Sequence, residues 1–305
     1  MPTLQAHLTD EMIRRGANVF FGVPGDFIIK YFNYLENRPD VTLVRMNDEA
    51  HAGSAADAFA RIKGFGVVVA TYAVGGFKLV NGLAQAYVES SPVLLVSGAP
   101  ARRECQESSS ILSYRVHHLV KDPQSQRRVF AEVTGRQEVI DNLYTARSQI
   151  AGLLDYITSM RRPGYIEIGR DLLDEKLPRH SIATNHFVHP PRVSDARALQ
   201  EAVERTAGIL NSSKSPILWV GVEVQRLAVQ KPVMELSASY GIPLVTSLFG
   251  KSAIDENFPN HLGVYAGAQT TSTRYADQTV RDYFESADAL LVLGVSASDF
   301  DFGLG

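Results

Sequence analysis

Four short patterns in the first 120 residues carry side chains able to move protons or hold a ligand. The first is FGVPGD, Phe21 to Asp26: an apolar strand ending in a Pro24-Gly25 turn, with Asp26 where the next helix begins. Ligands of α/β proteins bind at the carboxyl ends of parallel strands. Asp is also a good helix N-cap, so the segment alone allows either role. The second is Glu49, after the strand VTLVRM and at the start of a helix rich in small residues. A carboxylate suits a helix start in any case. Ala50, Ala52, Gly53, Ala55 and Ala56 leave room beside it for another helix or for a planar ligand. The third is AVGGFKLVN, from Ala73 through Val74, Gly75 and Gly76 to Asn81. A Gly-Gly turn after a strand lets backbone approach a ligand closely. It is not a GxGxxG fingerprint, and Asn81 taken alone reads as structural. The fourth is His117-His118. Adjacent histidines point different ways on any regular element, so one of the two is expected to face a cleft. Histidine changes charge nearest neutral pH, which suits proton transfer, although such a pair also occurs on plain surfaces.

The elements that must position these residues alternate. A helix is expected from about Thr3 to Arg15, then strand NVFFGV, helix IIKYFNYL and strand VTLVRM. A helix from about Ala50 to Ile62 follows, then strand GVVVATY, the Gly-Gly turn, a helix through Asn81 to Val88, and strand PVLLVSGA. One long helix over QEVIDNLYTARSQIAGLLDYITS and a strand GYIEIG complete a first domain. Strands alternating with helices predict parallel βαβ units, and nearly all-apolar strands predict helices on both sheet faces. The segment LPRHSIATNHFVHPPRVSD is polar and aperiodic and reads as an interdomain linker. His180, His186 and His189 within it lack a scaffold or a carboxylate set for a metal. A second α/β unit is expected from Asp195, with strands PILWVGV, IPLVTS and ALLVLGV. The expected fold is thus α/β with two doubly wound parallel-sheet domains: 1–178, a linker over 179–194, and 195–305, the second probed by no Gly-rich phosphate loop. ALLVLGV is expected to lack a covering helix, which suggests a chain cut short or an end covered by a partner.

Bulk properties exclude several classes. Thirty Lys and Arg against 33 Asp and Glu, scattered along the chain, leave no basic patch for nucleic acid or an anionic membrane. No apolar run is long enough to span a bilayer. The amphipathic N-terminus lacks a signal-peptide core. The single cysteine, Cys105, cannot form an internal disulfide and sits without a local activator. A cytoplasmic protein is expected.

In order and spacing, FGVPGD, NDEAHAGSAADAFAR, the Gly-Gly turn with Asn81, SSPVLLVSGAP and VHH resemble thiamin-diphosphate enzymes of the pyruvate and indolepyruvate decarboxylase type. In that family a Glu precedes an Ala-Asp-Gly-Tyr-Ala-Arg motif by a fixed step. Glu49 keeps the step before Ala56-Asp57-Ala58-Phe59-Ala60-Arg61. The His-His pair and Asp26 favour the decarboxylase branch over acetolactate synthases. Three places depart from the family: Asp48 and His51 beside Glu49, the segment 102–114, and Gly76-Phe77-Lys78 where Glu-Leu-Ser is usual.

The resemblance implies a pyrimidine-binding domain followed by a middle domain, and non-oxidative decarboxylation of a 2-oxo acid to an aldehyde with thiamin diphosphate and Mg²⁺. Glu49 would hydrogen-bond the aminopyrimidine ring, favouring loss of the thiazolium C2 proton. Asp26, His117 and His118 would handle the substrate's protons. Pro24, Gly25, Val74, Gly75 and Asn81 would line the cofactor. No metal ligand is expected within this chain: the family holds diphosphate and Mg²⁺ through Gly-Asp-Gly and a later Asn, and no Gly-Asp-Gly occurs here. That domain is expected on a missing C-terminal portion or a separate subunit, in a homodimer or homotetramer. The chain alone is then expected to bind cofactor weakly and not to turn over. A carboligase resembling acetolactate synthase, and a truncated non-catalytic protein, are the alternatives.

Overall fold

The alternating pattern produces two parallel sheets in a computed structural model that describes residues 1–108, 116–182, 193–267 and 278–302. The chain divides into two units, Met1–Arg192 and Val193–Gly305. The first opens with α1 (Leu4–Arg14), capped by the Thr3 hydroxyl, which accepts the Ala6 N–H. There follow β1 (Val19–Gly22), α2 (Ile29–Glu36), β2 (Thr42–Arg45), α3 (Glu49–Lys63), β3 (Gly66–Ala70), α4 (Val74–Phe77), α5 (Val80–Val88) and β4 (Val93–Ala99). Then come α6 (Arg102–Ser108), α7 (Ser125–Ala131), β5 (Arg136–Ile140), α8 (Leu143–Met160) and β6 (Gly164–Gly169). The strand order is β2-β1-β3-β4-β6-β5, every pair parallel.

Successive residues of a strand face opposite sides, and both sides are covered. Val67, Val69, Leu94 and Val96 pack with α1, α2 and α8 through Leu8, Phe32 and Leu153. Val68, Ala70, Val93 and Leu95 pack with α3 and α5 through Ala56, Ala60 and Leu83. This is why β3 and β4 are apolar at every position. The small residues of α3 serve the neighbouring helix: a Cβ on Gly82 of α5 would lie 3.1 Å from the Gly53 backbone.

Two sequence expectations are corrected here. QEVI does not begin a long helix. It belongs to β5, which pairs with β6 from Arg136↔Gly164 to Ile140↔Ile168, and α8 begins only after Asn142, whose side chain accepts the Tyr144 N–H. Gln and Glu there suggested helix, but β5 is a half-buried edge strand. Arg136 and Glu138 stand two residues apart on one face and pair at 2.8 Å. Gly75 and Gly76 form no open turn but lie inside the one-turn helix α4. In the stretch after Leu177, Ile182 donates its N–H to the Tyr144 carbonyl at 2.8 Å. His186 and His189 lie outside the described residues; His180 is exposed.

The second unit contains α9 (Ala196–Ser212), β7 (Pro216–Val220), α10 (Val222–Arg226), α11 (Gln230–Tyr240), β8 (Leu244–Ser247), β9 (His261–Tyr265), α12 (Gln278–Glu285), β10 (Ala289–Leu293) and α13 (Asp299–Phe302). Its sheet order is β10-β7-β8-β9, all parallel. The strand ALLVLGV, expected to be bare, is the edge strand β10, with Leu290 and Val292 exposed. A short helix nevertheless follows it, and α13 sets Phe302 edge-on against Trp219. Among the described residues no helix is long and apolar enough to cross a membrane.

Candidate active site at the carboxyl ends of β2, β1 and β3

The loops leaving β2, β1 and β3 are neighbours because these strands are adjacent in the sheet. Glu49 enters through the β2–α3 junction. Asp48 caps α3, its Oδ1 accepting the Ala50 N–H at 2.8 Å, and this fixes Glu49 as the first helical residue. The Glu49 side chain is largely buried, at 12% exposure. Its niche exists because residue 75 is glycine: a Cβ there would stand 2.7 Å from Glu49 Oε1 and 2.8 Å from Thr71 Cγ2. Gly25, from the β1 loop, closes on the same threonine, where a Cβ would lie 2.5 Å from Thr71 Cβ. Thr71 Oγ1 is buried and has no hydrogen-bond partner among the described residues. Val74 stands 57% exposed at the same turn, an apolar surface beside a carboxyl group.

Asp26, at the other end of the Pro24-Gly25 turn, meets the histidine pair. His117 Nε2 lies 2.5 Å from Asp26 Oδ2. One ligand atom each from Asp26, His117 and His118 lie within 4.8 Å of one another. Both histidines thus bring a ring nitrogen near the same carboxylate, whereas adjacent residues on a regular element point to different sides. His118 adopts φ 66°, a left-handed backbone that reverses the chain and turns its ring back toward His117. The rings lie 5.0 Å apart, edge to face. Both rest on the buried Phe27: His117 stacks at 4.6 Å and His118 meets it edge-on at 6.1 Å. Asp26 and the two histidines are exposed and can exchange protons with solvent.

A buried polar network, which the sequence reading missed, supports the Ala73–Gly76 segment. Ala73 sits at φ 48°, ψ −90°, a costly backbone state for a residue with a side chain. Its N–H donates to Gln126 Oε1 at 2.5 Å. Gln126 Nε2 donates to Ser97 Oγ at 2.8 Å and to the Tyr165 hydroxyl at 2.6 Å, with a longer approach of 3.4 Å to Glu167 Oε2. The Tyr165 hydroxyl donates to the same Glu167 oxygen. Burial pushes the Glu167 carboxyl up from its ordinary value, against the opposing pull of these two donors. The one available signal was Glu167 itself, an acid inside the otherwise apolar run GYIEIG.

This network carries a pH prediction. A carboxyl whose folded value is raised binds a proton more readily in the folded state, so its stabilisation is complete below the unfolded carboxyl value and is lost as pH rises through the folded one. Glu167→Gln keeps an oxygen to accept from Tyr165 and Gln126 while removing the titration. The difference in unfolding free energy between wild type and variant is expected to move in favour of wild type as pH falls from 7 toward 5. Urea melts at several pH values check it, and a pH-independent difference contradicts it.

Other expected site residues are less engaged. Pro24 is exposed. Asn81 is exposed on α5 and makes no side-chain hydrogen bond among the described residues. Cys105 lines a separate cavity of about 840 Å³ at the ends of β4, β5 and β6, together with Glu167 and Arg127. Burial raises its thiol, which works against thiolate chemistry.

A carboxyl in a glycine-lined niche, an exposed apolar side chain and a carboxylate–imidazole pair thus lie at these strand ends. Residues 2–126 match the N-terminal TPP binding domain of thiamine pyrophosphate enzymes, and residues 203–304 match the central domain of the same enzymes. The chain belongs to the thiamine pyrophosphate enzyme family. It is 33% identical over 300 residues to pyruvate decarboxylase 1 of Pisum sativum, covering 98% of this chain and 49% of that protein. It is 32% identical over 291 residues to indole-3-pyruvate decarboxylase of Azospirillum brasilense, covering 95% of this chain and 50% of that protein. The chain spans about half the length of the curated relatives it matches.

The donor set fits one part of the cofactor. Glu49, the Gly25–Thr71–Gly75 cradle with its unpartnered Thr71 hydroxyl, and exposed Val74 suit an aminopyrimidine ring. The Asp26, His117 and His118 group offers two imidazoles, whereas Mg²⁺ demands oxygen ligands. Mg²⁺ does not fit there.

Proposed function

We propose that this chain supplies the pyrimidine-binding and proton-handling part of a thiamin-diphosphate-dependent 2-oxo acid decarboxylase. One observation carries the reading: Glu49 is seated against Gly75, and through Thr71 and Gly25 the same loop contacts lead to Asp26 and its bonded His117. Domain 1–178 would hold the pyrimidine, 179–194 would join, and 195–305 would be the middle domain. Diphosphate and Mg²⁺ would be held by a Gly-Asp-Gly segment on a further domain or on another subunit of a homodimer or homotetramer.

When bound, thiamin diphosphate supplies a carbon nucleophile and accepts the electrons released with carbon dioxide. Glu49 would bond the pyrimidine ring nitrogen and hold a proton there. Gly25 and Gly75 let the backbone come close to the ring, and Val74 excludes water from its face. Asp26 orients His117 through Nε2, and the buried Phe27 supports both exposed imidazoles. That arrangement delivers a proton to the carbon that loses its carboxylate, and so favours aldehyde release over joining to a second carbonyl compound.

The test supplies a diphosphate-binding domain containing Gly-Asp-Gly, thiamin diphosphate and Mg²⁺, and offers pyruvate and aromatic 2-oxo acids. Aldehyde with one equivalent of carbon dioxide is expected. A 2-hydroxyketone or acetolactate as the main product contradicts the decarboxylase reading. No product from a folded assembly with cofactor bound contradicts catalysis altogether.

A further inference from the structure

Lys78 lies on the exposed rim of the Glu49 niche, one residue beyond α4. Its ammonium stands 2.6 Å from Asp48 Oδ2 and 3.3 Å from Glu49 Oε2. Asp48 meanwhile uses its other oxygen to cap α3. The fold brings Asp48 and Lys78 into direct contact. They lie 30 residues apart in sequence and bear together on Glu49.

We propose that Lys78 is a positioning residue for Glu49: paired with Asp48 and Glu49 at once, it holds the Glu49 carboxylate in place and gives it up when a heterocycle enters. This rests on the reading of Glu49 as the ring-binding group. Asp48 is the nearer partner, so it keeps the ammonium when Glu49 exchanges it for a ring nitrogen. Lys78 then stays at the rim as a tethered cation. The ion pairs with Asp48 and then Glu49 raise Lys78 above the ordinary lysine value. Lys78 also holds Asp48 below the ordinary carboxylate value, with the Ala50 N–H and the nearby His51 acting in the same direction.

The experiment follows the lysine Cε signals of this chain, labelled with ¹³C-lysine, as a function of pH. Lys78→Arg assigns the signal by deleting it. The Lys78 midpoint is expected above that of the other exposed lysines, lower in Glu49→Gln, and lower again in Asp48→Asn, a change that keeps a good N-cap. A Lys78 midpoint identical in wild type and Glu49→Gln overturns the proposal, whatever the cofactor does. Millimolar thiamin diphosphate with Mg²⁺ is then added, and binding is read at the amides of Ala73 to Phe77. The Lys78 midpoint is expected to fall toward its value in Glu49→Gln. Amides that respond while the midpoint stays fixed also overturn it. Amides that never respond even when the diphosphate-binding domain is supplied count against the ring-binding reading of Glu49, while the comparison of wild type with Glu49→Gln still decides the ion pair.

Discussion

Glu49→Gln is expected to lower the turnover of the assembled enzyme by about 10²–10⁴-fold, the span of a lost proton-transfer group, with the chain still folded. Glutamine fills the same niche against Gly75 and Thr71. The α3 N-cap is unaffected, because Asp48 and not Glu49 makes it. What is lost is the exchangeable proton, so kcat falls while cofactor affinity changes little. Steady-state kinetics beside a thermal melt separate these outcomes. A variant that loses activity only because its melting temperature collapses would assign Glu49 a structural role.

Phe27→Ala is expected to carry the largest cost in stability, about 3–5 kcal/mol, as for other large-to-small changes of buried aromatic side chains. Phe27 is fully buried, meets Tyr72 edge-on at 5.8 Å, and packs with Ala73, Ala99 and Val116. The Arg170 guanidinium lies 5.3 Å from its ring centroid. Above it sit both histidines. Removing the ring therefore opens a cavity and also releases the support that holds His117 toward Asp26. Phe27→Leu fills most of the volume but lacks the flat face, so it should recover most of the stability and little of the histidine ordering. Denaturant melts with histidine ring NMR distinguish the two effects. Equal stability of Phe27→Ala and wild type contradicts this account.

Much of the first unit was legible because its central strands are buried on both faces and so read as unbroken apolar runs, as in GVVVA and VLLVSGA. The edges were not. β5 carries Arg, Gln and Glu because one of its flanks meets solvent, and its strand character comes from pairing with β6, which local sequence does not encode. Glu49 and Asp26 could be placed at strand ends from local pattern alone. Their connection could not: Asp26 and His117 are 91 residues apart, and only the resemblance joined them. The left-handed His118 backbone was not legible because positive φ is uncommon for any residue but glycine, even though histidine is enriched there. The Gln126–Tyr165–Glu167 network assembles side chains from α7 and β6, and in sequence only Glu167 within the apolar run GYIEIG hints at it.

The account stands or falls on Glu49 making the cofactor's carbon acidic. The most direct measurement is exchange of the thiazolium C2 hydrogen of bound thiamin diphosphate for deuterium, read by NMR after acid quench, without substrate. Wild type is expected to exchange about 10²-fold or more faster than Glu49→Gln, with Asp26→Asn close to wild type because Asp26 serves the substrate's protons. Equal exchange in wild type and Glu49→Gln would contradict it.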